Sequence, residues 1–239
     1  MKFIHTADIH LGAEPDAGSS YTAKRPEELW NSFERLLNIC EEEQTDLLLI
    51  AGDLFHRQPL PQELKEVSYL FSTIPQTRVV LMAGNHDYLR PDSAYLSTAW
   101  SRNVACLFSR ECECVRFPEI GTEVYGLSYY RQEIPESLYD GLHPVDSDCF
   151  QVLLAHGGDA LHIPFRKEKL ARSGFDYVAL GHIHKPQELA ENRVVYAGAL
   201  SPIDCGDTGP HGYVLGTWER GKVTVELCPG QKGSMPALC

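Results

Sequence analysis

Apolar residues along this chain follow two different periods, and the alternation between them outlines the fold. The run Phe3-Ile4-His5-Thr6-Ala7 reads as a short buried strand that ends at Asp8. From Pro26 onward Leu29, Phe33, Leu36, Leu37 and Cys40 recur at helical spacing, with Glu41-Glu42-Glu43 beyond them, so a helix opens near Pro26. Leu47-Leu48-Leu49-Ile50-Ala51 is uninterrupted, the pattern of a strand covered on both faces. Pro61 opens a second helix whose stripe is Leu64, Val67 and Phe71. Arg78-Val79-Val80-Leu81-Met82-Ala83 is the next strand and ends at Gly84.

The second half is richer in short strands. They are expected at Val104–Phe108, Cys112–Phe117, Thr122–Leu127, Gln151–Ala155, Tyr177–Leu180, Val194–Ala197, Tyr213–Trp218 and Val223–Leu227. Gln132–Asp148, with Pro135, Gly141 and Pro144, reads as a surface connection. Strand, loop and helix repeat over the first ninety residues, which builds a mainly parallel sheet. The expectation is an α/β fold of two mixed β-sheets packed as a sandwich and flanked by helices, with residues 1–239 forming one domain.

Composition narrows the function classes. With 43% hydrophobic residues among 239, the chain can build a sizeable core. Its net charge of −12 is not the footprint of an autonomous DNA-binding domain. A nucleic-acid substrate stays open, because two bound divalent cations would offset four of those charges locally. No signal-peptide pattern and no run of 18 apolar residues occurs, so the reading is a cytoplasmic protein with no membrane association. Its eight cysteines are then expected as reduced thiols. Cys106, Cys112 and Cys114 have poor spacing for a zinc site, and Cys239 reads as a tail residue.

Five polar blocks follow the strands: Asp8-Ile9-His10, Gly52-Asp53, Gly84-Asn85-His86-Asp87, Ala155-His156-Gly157 and Gly181-His182-Ile183-His184. Ligands of open α/β sheets gather at the carboxyl ends of strands, so blocks distant in sequence are expected to converge. Asp8 and His10, like His182 and His184, stand two apart, and in an extended segment such residues point the same way. Asp53 has two carboxylate oxygens and can bridge two cations, while Gly52 permits close backbone approach. Asn85 offers a neutral oxygen. His86 is placed to act without being a ligand, and Asp87 is the expected orienter of its imidazole. Each block alone has a plain structural reading: a turn aspartate, a capping carboxylate, a histidine that merely ends a strand. Together they supply the mixed oxygen and nitrogen ligands that a pair of divalent cations needs, a device for attacking phosphate esters.

The ordered blocks resemble the calcineurin-like metallophosphoesterases. The stretches Phe3-Ile4-His5-Thr6-Ala7-Asp8-Ile9-His10-Leu11-Gly12 and Ala51-Gly52-Asp53-Leu54-Phe55-His56 are similar to the Mre11/SbcD branch of DNA-repair nucleases. The resemblance spans residues 1 to about 205 and implies the family's four-layer fold. It implies one ion held by Asp8, His10, Asp53 and His184, and another by Asp53, Asn85, His156 and His182. It also implies His86 as the catalytic histidine and His56 as a contact to the substrate phosphate. Mn²⁺ is the implied cofactor, with iron or zinc able to occupy the same ligands. Fifty-five residues follow His184. They are expected to provide closing strands of the second sheet. They are expected to be too few for the capping domain of the nucleases and for the helical segment that docks their ATPase, which weakens, without removing, the SbcC/Rad50-like ATPase partner that the resemblance implies. Oligomeric state is not legible.

The activity expected is hydrolysis of a phosphate ester, with a hydroxide between the two ions attacking phosphorus and His86 assisting the leaving oxygen. Three substrate readings stand: a nuclease-like phosphodiesterase acting on DNA ends or single strands, an enzyme for a small-molecule phosphate ester, and a scaffold module that works through partners.

Overall fold

The computed structural model describes residues 1–14, 22–204 and 206–230. Strands β1 (Lys2–Thr6), β2 (Leu47–Ala51), β3 (Arg78–Met82) and β4 (Val104–Cys106) lie parallel in one six-stranded sheet. The second sheet holds β5 (Glu113–Phe117), β6 (Thr122–Gly126), β7 (Phe150–His156), β8 (Tyr177–Gly181), β9 (Gln187–Ala190) and β10 (Val194–Tyr196). Its order is β5-β6-β7-β8-β10-β9, parallel in the middle and antiparallel at both edges. The hairpin β11 (Gly212–Glu219) and β12 (Lys222–Pro229) returns to β1, giving the first sheet the order β12-β11-β1-β2-β3-β4. Helices α1 (Arg25–Glu42) and α2 (Pro61–Ser72) are the long ones, and α3 (Ala94–Ser97) and α4 (Lys167–Ala171) are short.

The strand pleat sorts the apolar runs into three layers of core. In β2, Leu48 and Ile50 join Leu29, Phe33, Leu64 and Phe71 under α1 and α2. Leu47, Leu49 and Ala51 point the other way, onto Val152, Leu154, Tyr177 and Ala179 of the second sheet. Leu153, Ala155, Val178 and Leu180 face outward beneath Phe175, Tyr139 and Leu170. The continuous run at Leu47–Ala51 is thus what a strand buried on both faces requires, as the sequence indicates.

Two expectations are corrected and one strand is added. The closing hairpin extends the first sheet and not the second. At this join Gly216 lies opposite Phe3, where a Cβ would collide with the phenyl ring. Strand β9 goes unpredicted because it is a polar edge strand with Gln187 and Glu188 exposed. The segment 132–148 is not merely a surface connection, since it buries Ile134 and Tyr139. The six cysteines described carry free thiols, whereas Cys239 lies outside the described residues. Among those residues no helix is long and apolar enough to cross a membrane.

Candidate metal centre

All five polar blocks meet at one end of the sandwich. The carboxyl ends of β1, β2 and β3 bring Asp8, His10, Asp53 and Asn85, and those of β7 and β8 bring His156, His182 and His184. The backbone there is bent. Asp8, His10, Asp53 and His182 have φ of 50°, 52°, 49° and 96°. A side chain in the left-handed region costs on the order of 1–3 kcal/mol, so four such residues persist only because their surroundings hold them. The amides of Asp8 and His10 donate to the carbonyls of Gly52 (3.2 Å) and Asp53 (3.0 Å), locking the first two loops together. This corrects the extended reading of Asp8-Ile9-His10: the two side chains converge through left-handed turns. Crowding is tight enough that a Cβ at Gly84 would strike the Asp53 carboxylate, and one at Gly52 the His156 ring.

The donor atoms face one another closely. Asp8, His10 and His184 offer ligand atoms within 4.8 Å of each other, as do Asp8, Asp53 and His156. The Nε2 atoms of His10 and His184 are 3.2 Å apart. Oδ2 of Asp53 lies 3.4 Å from His156 Nε2 and 3.8 Å from His10 Nε2, between the two groups. Asn85 Oδ1 lies 2.8 Å from His156 Nε2 and 3.0 Å from His182 Nδ1. His156 Nδ1 donates to the Ala51 carbonyl at 2.8 Å, which leaves Nε2 as its inward atom. The His182 amide donates to both oxygens of Asp8.

Asp8 is fully buried and Asp53 is 1% exposed. Among the described residues no lysine or arginine is paired with either; the rings of His10 and His156 stand beside the Asp53 carboxylate. Burial pushes the Asp8 carboxyl up to about 6, against His156 and with Asp53 adding to the rise. Burial also opposes ionisation of Asp53, yet His156, His10 and His86 outweigh it and hold that carboxyl well below the usual range. Burial works against a proton on His156, but Asp53 and Asp8 raise it to about 9. Burial lowers His10 well below its ordinary value and His182 to about 4, with neighbouring imidazoles adding in both cases. The proton on His156 thus compensates the buried carboxylates beside it, and divalent cations would do so more completely. Two carboxylates, one amide oxygen and four imidazoles are the donor set that such ions take.

Two further imidazoles roof the cluster. His56 and His86 stack with centroids 4.8 Å apart, and both rings lie edge-on to His10. His86 Nδ1 donates to the His56 carbonyl at 3.1 Å, and His56 Nδ1 lies 3.1 Å from His10 Nδ1. The His86 amide donates to Asp53 Oδ1 at 2.9 Å, which ties the roof to the floor.

Asp87 is not placed as the orienter of His86. Its Oδ1 accepts from the Gly84 amide (2.8 Å), and its Oδ2 from the Phe55 amide (3.1 Å) and the Tyr95 hydroxyl (2.6 Å). The tight turn through residues 84–87 sends the carboxylate inward, where it braces two loops and α3. Burial, with Asp53 adding, raises its carboxyl to about 6.

Four contributors escape the sequence reading. Asp159 Oδ2 lies 2.8 Å from His182 Nε2, and Asp207 Oδ2 lies 3.3 Å from His184 Nδ1. Tyr129 and Tyr139 both donate to the His156 carbonyl at 3.1 Å. None of them sits in a block of metal-type residues, so no local signal marks them.

The sequence profile of the calcineurin-like phosphoesterase family matches residues 1–186. An uncharacterized metallophosphoesterase YhaO of Bacillus subtilis (strain 168) is 30% identical, over 95% of this chain and 60% of that protein. The DNA double-strand break repair protein Mre11 of Haloferax volcanii is also 30% identical, over 90% of this chain and 48% of its own length. The Mre11 of Methanocaldococcus jannaschii is 28% identical, over 85% of this chain and 57% of its own. The chain therefore spans roughly half to three-fifths of the length of these relatives. The crystal structure of TT1561 from Thermus thermophilus superposes with a TM-score of 0.59 over 96% of this chain and 99% of that one at 13% identity, a likeness of fold.

Proposed function

The chain belongs to the calcineurin-like phosphoesterase family, and from that premise we propose that it is a metal-dependent phosphodiesterase of the nuclease type. The observation that carries this is the convergence of Asp8, His10, Asp53, Asn85, His156, His182 and His184 beneath the stacked imidazoles of His56 and His86. Asp8, His10, Asp53 and His184 would hold one ion, and Asp53, Asn85, His156 and His182 the other. Bound there, two divalent ions supply an activated water and neutralise charge developing on phosphoryl oxygens. Mn²⁺ is the proposed metal.

The chain's own groups do the rest. Asp53 sits at the shared edge of the two ligand sets and fixes their separation. His86, whose Nδ1 is committed to the His56 carbonyl, has only Nε2 free to carry a proton to a leaving oxygen. His56, half-buried beside it, donates to a non-bridging phosphate oxygen. Similarity to DNA double-strand break repair proteins named Mre11 supports DNA as the substrate, and DNA ends or single strands are the forms proposed. The net charge of −12 favours the rival reading, a small-molecule phosphate ester.

A panel with Mn²⁺ decides between them: bis-p-nitrophenyl phosphate, p-nitrophenyl phosphate and labelled single- and double-stranded DNA. Degradation of DNA together with the diester supports the nuclease reading. Cleavage of the diester with DNA left intact moves the assignment to a small substrate, and no hydrolysis at all leaves a scaffold role.

A further inference from the structure

The two histidines of Gly181-His182-Ile183-His184 face the centre through different ring nitrogens. His184 turns Nε2 toward His10 Nε2 (3.2 Å) and Nδ1 toward Asp207 (3.3 Å). His182 is reversed, with Nδ1 toward Asn85 (3.0 Å) and Nε2 toward Asp159 (2.8 Å). A neutral imidazole carries one proton, and the nitrogen without it is the one that can ligate. A carboxylate that accepts from one nitrogen therefore frees the other.

The two carboxylates differ in setting. The Asp207 side chain is 16% exposed, lies 3.3 Å from the Ile203 amide and has His211 beside it. The Asp159 side chain is 46% exposed. Its Oδ1 accepts from the amides of Leu161 and His162, and both its oxygens lie within 2.9 Å of His162 Nδ1, so His182 shares its charge with a second imidazole and with water.

We infer that Asp207 and Asp159 are positioning residues that set opposite tautomers in His184 and His182, and that Asp207, the better shielded of the two, makes the ion on the His184 side the retained one. The ion on the His182 side is the exchangeable one. The second half of this statement rests on the two-ion centre proposed above; the tautomers stand without it.

The test has two arms. In the metal-free protein, ring ¹⁵N shifts report which nitrogen of each histidine is protonated. His184 is expected with its proton on Nδ1 and His182 with its proton on Nε2, and Asp207→Asn and Asp207→Ala should each populate the other tautomer of His184 alone. In the second arm, calorimetric titration with Mn²⁺ should show a tight and a weaker ion. Asp207→Asn should weaken the tight one by about 10- to 100-fold, and Asp159→Asn should weaken only the other, by less. Unchanged tautomers in folded variants overturn the positioning role. Tautomers that shift while the two ions keep equal affinities overturn the assignment of the retained ion. A wild-type chain that binds no Mn²⁺ while its tautomers behave as stated overturns the two-ion reading instead.

Discussion

His5 should make the fold acid-sensitive in a window that can be calculated. It is fully buried in β1, on the face that meets the second sheet, with Nδ1 2.9 Å from the Tyr177 hydroxyl and its ring edge-on to Tyr177. Burial lowers its pKa from 6.5 to about 3, the Leu180 backbone opposing only in part. The unfolded chain therefore takes up a proton below 6.5 that the folded chain refuses until about 3. The stability that His5 contributes as a neutral ring is present above 6.5 and is lost as pH falls toward 3. At about 1.4 kcal/mol per pH unit, the two units from 6.5 to ~4.5 amount to roughly 3 kcal/mol. His10, His56 and His182 are also lowered and add to the acid sensitivity of the wild type. The informative quantity is therefore the difference between wild type and His5→Phe. Phenylalanine keeps the aromatic contact and removes the titrating group, although it leaves the Tyr177 hydroxyl without its partner. Urea unfolding in chelator should show the variant less stable at ~pH 7.5, and the gap should close by about 3 kcal/mol at ~pH 4.5. Parallel stability curves, with the gap moving by less than ~1 kcal/mol, would refute the argument.

Asp53→Asn keeps the shape and the bond from the His86 amide but removes the shared anionic oxygen; bound Mn²⁺ measured by elemental analysis should fall below that of wild type, and turnover by on the order of 10³-fold. His86→Ala should leave metal content unchanged and lower turnover ~10²- to 10⁴-fold on an alkyl diester, with a smaller deficit on a p-nitrophenyl ester, whose leaving group needs no proton. Loss of metal from that variant would show His86 to be a ligand. Gly84→Ala should destabilise by about 1–3 kcal/mol in a thermal melt and displace Asp53, with activity lost more completely than fold.

What the sequence reveals and what it hides follow from the range of each signal. The parallel core is legible because Leu47–Ala51 and Arg78–Ala83 are runs that only doubly covered strands tolerate, and each stops at a polar block. The convergence of Asp8, Asp53, Asn85, His156 and His182 follows from strand direction alone. Asp87 misleads because adjacency to His86 suggests contact, whereas the turn closed by the Gly84 amide points its carboxylate the other way. Asp159 and Asp207 are single acids in irregular segments, and what makes them matter is a distance of about 3 Å to a ring 23 residues away in each case. Tyr139 hides in a segment without periodicity, and the antiparallel return of β11 to β1 depends on a glycine accommodating a ring from another strand.

The seam between the sheets passes through the centre, with Asp8, His10, Asp53 and Asn85 on one bank and His156, His182 and His184 on the other. A cut in the link between β4 and β5, near Ser109 and Arg110, would hand each fragment an incomplete ligand set. The second fragment also carries β11, the strand that belongs beside β1. Mixing the two halves would make recovered hydrolysis a gauge of their reunion, since neither possesses the chemistry until the other is threaded back into place.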